Sequence, residues 1–157
     1  MSPPYNRVYL DSNVLLRLQW PRVNQTLSNA MDILHDFGIP AILLDAVQKD
    51  LIVLGAELAC DSGNRVDRRI EPARTIRLEQ WIHELQEEVP LPRQFILPGA
   101  NSISAALDLS RTIIRRAERR CVALRETGQI DDPEIHAYLN RLGDFLFTLA
   151  RYAEEKG

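Results

Sequence analysis

The sequence predicts an all-α fold, a bundle of antiparallel helices, on three observations. Apolar residues recur at spacings of three and four along several long segments, strand patterning is minimal, and short connections separate the segments. With 157 residues, 45% of them hydrophobic and 26% charged, the chain can bury one core of its own, so residues 1–157 are expected to form a single domain.

Along the chain, Val8 to Leu18 reads as a strand or a short helix, Pro21 interrupts, and Gln25 to Phe37 reads as a short helix. From Pro40 to Ala59 the stripe Leu44, Val47, Leu51, Leu54, Leu58 predicts a helix, with Pro40 in its first turn. Cys60 to Arg74 is polar and without period, hence an exposed loop. Thr75 to Glu88 is helical through Leu78, Trp81, Ile82 and Leu85, and Pro90 and Pro92 forbid its continuation. Phe95 to Gly99 (FILPG) is an apolar connection, and such a loop must be buried or bind something. Ser102 to Glu126 is the longest periodic segment, closed by Gly128. The last helix is capped by Asp131 or Asp132, has Pro133 at its first position and runs to Ala153. No internal repeat is present.

A net charge of −3 gives no global attraction to nucleic acid or to an anionic membrane, so any anion recognition must be local. Apart from Lys49 and Lys156 the basic residues are arginines, the side chain suited to bidentate phosphate contacts. Cys60 and Cys121 lie far apart, which argues against a zinc site and a disulfide framework. No apolar run approaches the ~20 residues of a membrane span, and Met1 to Asn6 lacks signal-peptide features. A cytoplasmic protein is therefore expected.

The chemistry concentrates in RTIIRRAERR, Arg111 to Arg120. Arg111, Arg115 and Glu118 fall at i, i+4 and i+7 on one helix face, with Arg119 at its border. One reading is a solvated surface with an Arg115 to Glu118 pair contributing about 0.2 to 0.5 kcal/mol. The other is an anion site: five arginines against one glutamate self-repel unless an anion such as a triphosphate neutralises them. Nucleic acid would need a broader basic surface with aromatic platforms, and acidic residues crowd the flanks instead.

FILPG, RTIIRRAERR and YLNRLGDFLFTLARYA (Tyr138 to Ala153), in that order, resemble the PduO-type ATP:cob(I)alamin adenosyltransferases. VQKDLIVLGAELA (Val47 to Ala59) and RLEQWIHELQEEVPLPRQF (Arg77 to Phe95) extend the likeness to about two thirds of the chain. The resemblance implies an up-and-down five-helix bundle and a homotrimer with sites between subunits. It also implies transfer of the 5′-deoxyadenosyl group of ATP to reduced cobalamin, with Mg2+ present and a corrinoid reductase as partner. No metal ligand of the chain itself is assigned. By the same resemblance Arg115, Glu118 and Arg119 line the ATP site with Arg116 at its edge, and Arg111 and Arg115 act in catalysis. Arg111 would pair with an aspartate of the first helix across a subunit boundary. Asn140 would contact the nucleotide near the corrin, and Phe95 would pack below the corrin and exclude its lower axial ligand. Read without the family, Asn140 is a helix-surface amide and Phe95 a core plug.

The chain departs from the family at its start: nothing in Met1 to Gln19 resembles the TGDxGxT phosphate loop, though a longer upstream sequence could contain one. The VDELN segment is not recoverable either, with Asp11 and Asp32 as the acidic candidates, so residues 1–40 are divergent. Smaller departures are Gly143 for serine, Asp108 for histidine and Ala100 for glycine. These differences leave open a non-catalytic relative that binds a corrinoid, a nucleotide or a protein partner in the same cleft. A different reading takes VYLDSNVLL (Val8 to Leu16) as the first strand of a PIN-type nuclease with Asp11 as metal ligand, and requires an α/β order in the remainder.

Overall fold

The computed structural model describes residues 41–58, 69–128 and 130–156, together with Arg22, Gln25 and Thr26. Four helices follow one another: α1 (Ala41–Leu58), α2 (Pro72–Glu88), α3 (Ser102–Glu126) and α4 (Pro133–Lys156), with no strand among the described residues. That is the all-α architecture expected, and the α/β order a PIN-type nuclease requires is not found in it. The segment Val8 to Leu18, Pro40, the acidic candidates Asp11 and Asp32 and most of Gln25 to Phe37 lie outside the described residues; Gln25 and Thr26 are helical.

Helix α4 is the central element. Half of its 24 residues are buried, and it packs most extensively against α3 and next against α2. Its buried stripe of Ile135, Leu139, Leu142, Leu146 and Leu149 meets Ile103, Leu107, Ile114 and Ala117 of α3 and Leu78 and Leu85 of α2 in one cluster. The α1 stripe, Leu44, Val47, Leu51, Leu54 and Leu58, is buried in the same cluster. Trp81 of α2 reaches Phe145 of α4 with ring centroids 5.6 Å apart, and the Arg77 guanidinium lies over the Trp81 ring at 5.1 Å from its centroid.

The helix ends follow local chemistry. Helix α2 starts at Pro72, three residues before the predicted Thr75, because proline at the first position needs no N–H partner and has its φ already set. Helix α3 opens on a capping box in which Asn101 accepts from Ser104 N–H at 2.8 Å and Ser104 Oγ accepts from Asn101 N–H at 3.1 Å. Gly128, at φ +71, ends the helix as expected. Of the two candidate caps for α4, Asp132 accepts from the Glu134 N–H at 2.9 Å.

Asn101 also donates to the Ala153 carbonyl of α4 at 3.0 Å, so one side chain both caps α3 and fastens it to its neighbour. Asn101→Ala is expected to lower unfolding stability by about 1 to 2 kcal/mol, read as a shift of the urea midpoint at constant slope. An unchanged midpoint would show that the cap carries no net stabilisation.

Across the bundle a buried carboxylate joins three helices. Asp50 of α1 is 1% exposed, pairs with Arg74 and, at 2.5 Å, with Arg77 of α2, and accepts from the Tyr138 hydroxyl of α4 at 3.0 Å. Burial, reinforced by the Asp50 charge, pushes the Tyr138 phenol well above its usual range, so it remains a donor. Glu57 meets the chain before α2 in the same way, accepting from the Ile70 N–H at 2.8 Å.

Candidate functional site

The arginine-rich segment lies in the second half of α3, and its 3.6-residue turn divides it between core and solvent. Ile113, Ile114, Ala117 and Cys121 are buried, while Arg116 and Arg119 are exposed. Burial, with the Glu118 charge beside it, pushes the Cys121 thiol up to about 12, so this cysteine has the character of a small core residue rather than a nucleophile.

Glu118 sits where the two faces meet and is only 4% exposed. Its carboxylate pairs with Arg115 and accepts from the Asn140 amide of α4 at 2.9 Å, and His136 Nδ1 lies 3.9 Å away. The intrahelical Arg115 to Glu118 pair is thus real, but it is not the solvated surface pair that helix spacing alone allows. A buried carboxylate needs compensating partners, and it takes them from both helices. Asn140 is correspondingly not a free surface amide.

Arg115 is 42% exposed, its guanidinium held by a buried anion and its stem resting on α4. A Cβ on Gly143 would lie 3.1 Å from Arg115 Cδ, so the glycine makes room for the stem. One turn earlier, Arg111 stacks over Phe147 of α4 at 5.2 Å from the ring centroid, and its Nε is buried without a hydrogen-bond partner. The arrangement presents guanidinium groups whose direction is fixed before any anion arrives, which is how positive charge acts most strongly on a developing negative one.

The predicted residues therefore divide. Arg115, Glu118 and Asn140 are brought together; Arg111 is a turn away against Phe147; Arg116 and Arg119 lie on the exposed flank. Phe95 takes no part in this cluster. It stands fully exposed on the loop before α3, with Leu97 nearly so, which removes the core-plug reading and leaves an apolar loop that faces outward. An open hollow of about 430 Å³ is lined by Pro92, Arg93, Gln94 and Phe95. His136 and Phe147 were not anticipated; each lies on α4 within two turns of Asn140, at i−4 and i+7, and that spacing was the available clue. No group of three His, Cys, Asp or Glu side chains among the described residues could hold a metal ion, and no helix there is long and apolar enough to cross a membrane.

Known proteins of similar sequence and fold are corrinoid adenosyltransferases. Corrinoid adenosyltransferase MMAB of Bos taurus is 35% identical over 140 residues, 85% of this chain and 58% of the relative. The corrinoid adenosyltransferase of Citrobacter freundii is 43% identical over 114 residues, 71% of this chain and 64% of the relative. The chain thus spans about three fifths of the length of these relatives. Among solved structures, a variant PduO-type ATP:corrinoid adenosyltransferase from Lactobacillus reuteri, complexed with ATP, superimposes with a TM-score of 0.80 at 27% identity, covering 90% of this chain and 81% of that one. A second variant, complexed with cobalamin and ATP, gives a TM-score of 0.78 at 28% identity over 87% and 76% of the two chains. The family model for cobalamin adenosyltransferase matches residues 24–153, spanning all of α1, α2 and α3 and most of α4, and the chain belongs to that family.

Proposed function

We propose that this protein transfers the 5′-deoxyadenosyl group of ATP to reduced cobalamin. The observation that carries the proposal is the Arg115, Glu118 and Asn140 constellation, a guanidinium held by a buried carboxylate that also takes an amide from the neighbouring helix. The family membership and the ATP and cobalamin of the structural neighbours support the same substrates here.

In the reaction a lone pair on cobalt(I) forms a bond to C5′ of ATP, the C5′ to oxygen bond breaks, and its electron pair leaves with triphosphate. Charge gathers on the leaving oxygens, so Arg115 and Arg111 act in the transition state more than in the ground state. Arg119 and, at the edge, Arg116 add positive potential along the triphosphate. Glu118 holds Arg115 in place and orients the nucleotide. Asn140, which donates to Glu118, keeps its carbonyl oxygen for the nucleotide close to the corrin. Phe95 supplies an apolar face to the corrin and excludes a lower axial ligand, which eases reduction of the cobalt. Magnesium, when bound, would serve as a counter-ion of the triphosphate, with no side chain of this protein assigned to hold it.

The proposal extends to a five-helix bundle in a single domain over residues 1–157, a homotrimer with sites between subunits, a corrinoid reductase that delivers the cobalt(I) state, and a cytoplasmic setting. A second reading is a relative that binds a corrinoid, a nucleotide or a protein partner in the same cleft without catalysis. Anaerobic incubation with ATP and chemically reduced cobalamin, followed by absorbance, tests the proposal: adenosylcobalamin should accumulate. Calorimetric ATP binding without any conversion would select the second reading.

Gly143→Ala separates stability from function. Alanine in a helix interior is expected to add about 0.5 to 1 kcal/mol of stability. Its methyl group pushes the Arg115 stem by a few tenths of an ångström, so the KM for ATP should rise severalfold even as the melting temperature rises. An unaltered KM would show that Arg115 does not depend on the glycine.

A further inference from the structure

Phe95 and Leu97 stand outside the core, so the two most exposed apolar side chains of the loop before α3 contribute no packing to its placement. The loop is fixed instead at its carboxyl-terminal end. Gly99 adopts φ +86, a left-handed conformation suited to glycine, and its backbone lies so close to α3 that a Cβ there would touch Ala105 at 3.4 Å. The Gly99 N–H donates to Asp108 Oδ2 at 3.2 Å, and that same oxygen accepts from Arg151 Nη2 at 2.6 Å.

Arg151 is 3% exposed and also lies 3.0 Å from Glu154, so two carboxylates share one buried guanidinium. Its guanidinium lies 5.2 Å from the Phe147 ring centroid, the same distance at which Arg111 covers that ring. Asp108 precedes Arg111 by three residues on α3, so loop, carboxylate, aromatic ring and arginine face form one connected cluster. A carboxylate oxygen held by a buried guanidinium cannot swing away, which makes it a fixed acceptor for the loop amide.

We infer that Asp108 is a positioning residue: its carboxylate latches the Phe95 to Gly99 loop onto α3 and so holds Phe95 in register with the arginine face of the same helix. The latch rests on the geometry alone; its effect on corrinoid use rests on the adenosyl-transfer proposal.

Two measurements test it. Hydrogen exchange, followed by mass spectrometry on a peptide spanning residues 94–101 of the ligand-free protein, reads the latch. Steady-state kinetics with ATP and chemically reduced cobalamin reads its consequence. In Asp108→Ala the peptide should exchange about tenfold faster. The KM for cobalamin should rise about tenfold while the KM for ATP changes less than about twofold, because the loop rather than the arginine face has been released. Asp108→Glu keeps the charge opposite Arg151 but displaces the acceptor by one methylene. It should retain the wild-type melting temperature yet show the same faster exchange, and it carries the test if the alanine variant does not fold. Wild-type exchange in the folded variants, or a parallel rise in both KM values, overturns the inference. If the wild-type protein converts no cobalamin, the adenosyl-transfer proposal falls, and the exchange data alone decide for or against the latch.

Discussion

Arg115→Ala is expected to lower kcat/KM for adenosyl transfer by about 100- to 1000-fold, the loss that follows removal of one preorganised donor from a site of developing negative charge. The magnitude follows from how the side chain is held. Its guanidinium is paired with Glu118, a carboxylate 4% exposed, which in turn takes the Asn140 amide at 2.9 Å. Truncation therefore removes the donor and leaves the carboxylate with weaker compensation, so a modest loss of stability should accompany the kinetic effect. Arg115→Lys separates the two. It restores a positive charge beside Glu118 but not the planar fork, so stability should return further than turnover. Kinetics with saturating cobalamin and varied ATP, alongside urea unfolding of both variants, supply the comparison. A kcat/KM within about threefold of wild type for the alanine variant would remove Arg115 from the catalytic machinery.

Asp50→Ala should give the largest loss of stability, about 3 to 5 kcal/mol in unfolding free energy, because breaking a buried pair from one side leaves uncompensated charge. The carboxylate is 1% exposed and serves Arg74, Arg77 and Tyr138 at once. Arg77 retains 37% exposure and can recover some hydration, which places the expected loss toward the lower end of that range. Asp50→Asn keeps an acceptor for the Tyr138 hydroxyl and should be milder. Urea midpoints of the two variants, with Tyr138→Phe to complete a double-mutant cycle, measure the coupling. A midpoint for Asp50→Ala equal to that of wild type would mean that the network adds nothing to the fold.

The site was legible to different depths. Arg111, Arg115 and Glu118 could be placed on one helix face because a helix repeats every 3.6 residues, whatever surrounds it. The same spacing could not distinguish a solvated Glu118 from a buried one, since burial depends on α4, and Asn140 lies 22 residues away in sequence. His136 and Phe147 are hidden in the sequence for the same reason: a histidine and a phenylalanine on an amphipathic helix look ordinary until Glu118 and Arg111 opposite them are known. The apolar character of the loop at Phe95 is plain in the sequence, whereas its exposure, with Phe95 and Leu97 outside the core, is a property of the packed helices.

What the sequence by itself determined was local. The apolar stripe from Leu44 to Leu58, the long helix ended by Gly128 and the proline at the start of the last helix follow from periodicity, capping and restricted φ, which act within a turn or two of chain. Only the tertiary structure decided which charges are buried and with whom. Asp50 meets Tyr138 across 88 residues, and Arg151 meets Asp108 across 43. Such pairs form because a charge taken out of water must find an opposite charge or a hydrogen bond nearby, and which partner is near is a property of the packed helices rather than of any segment.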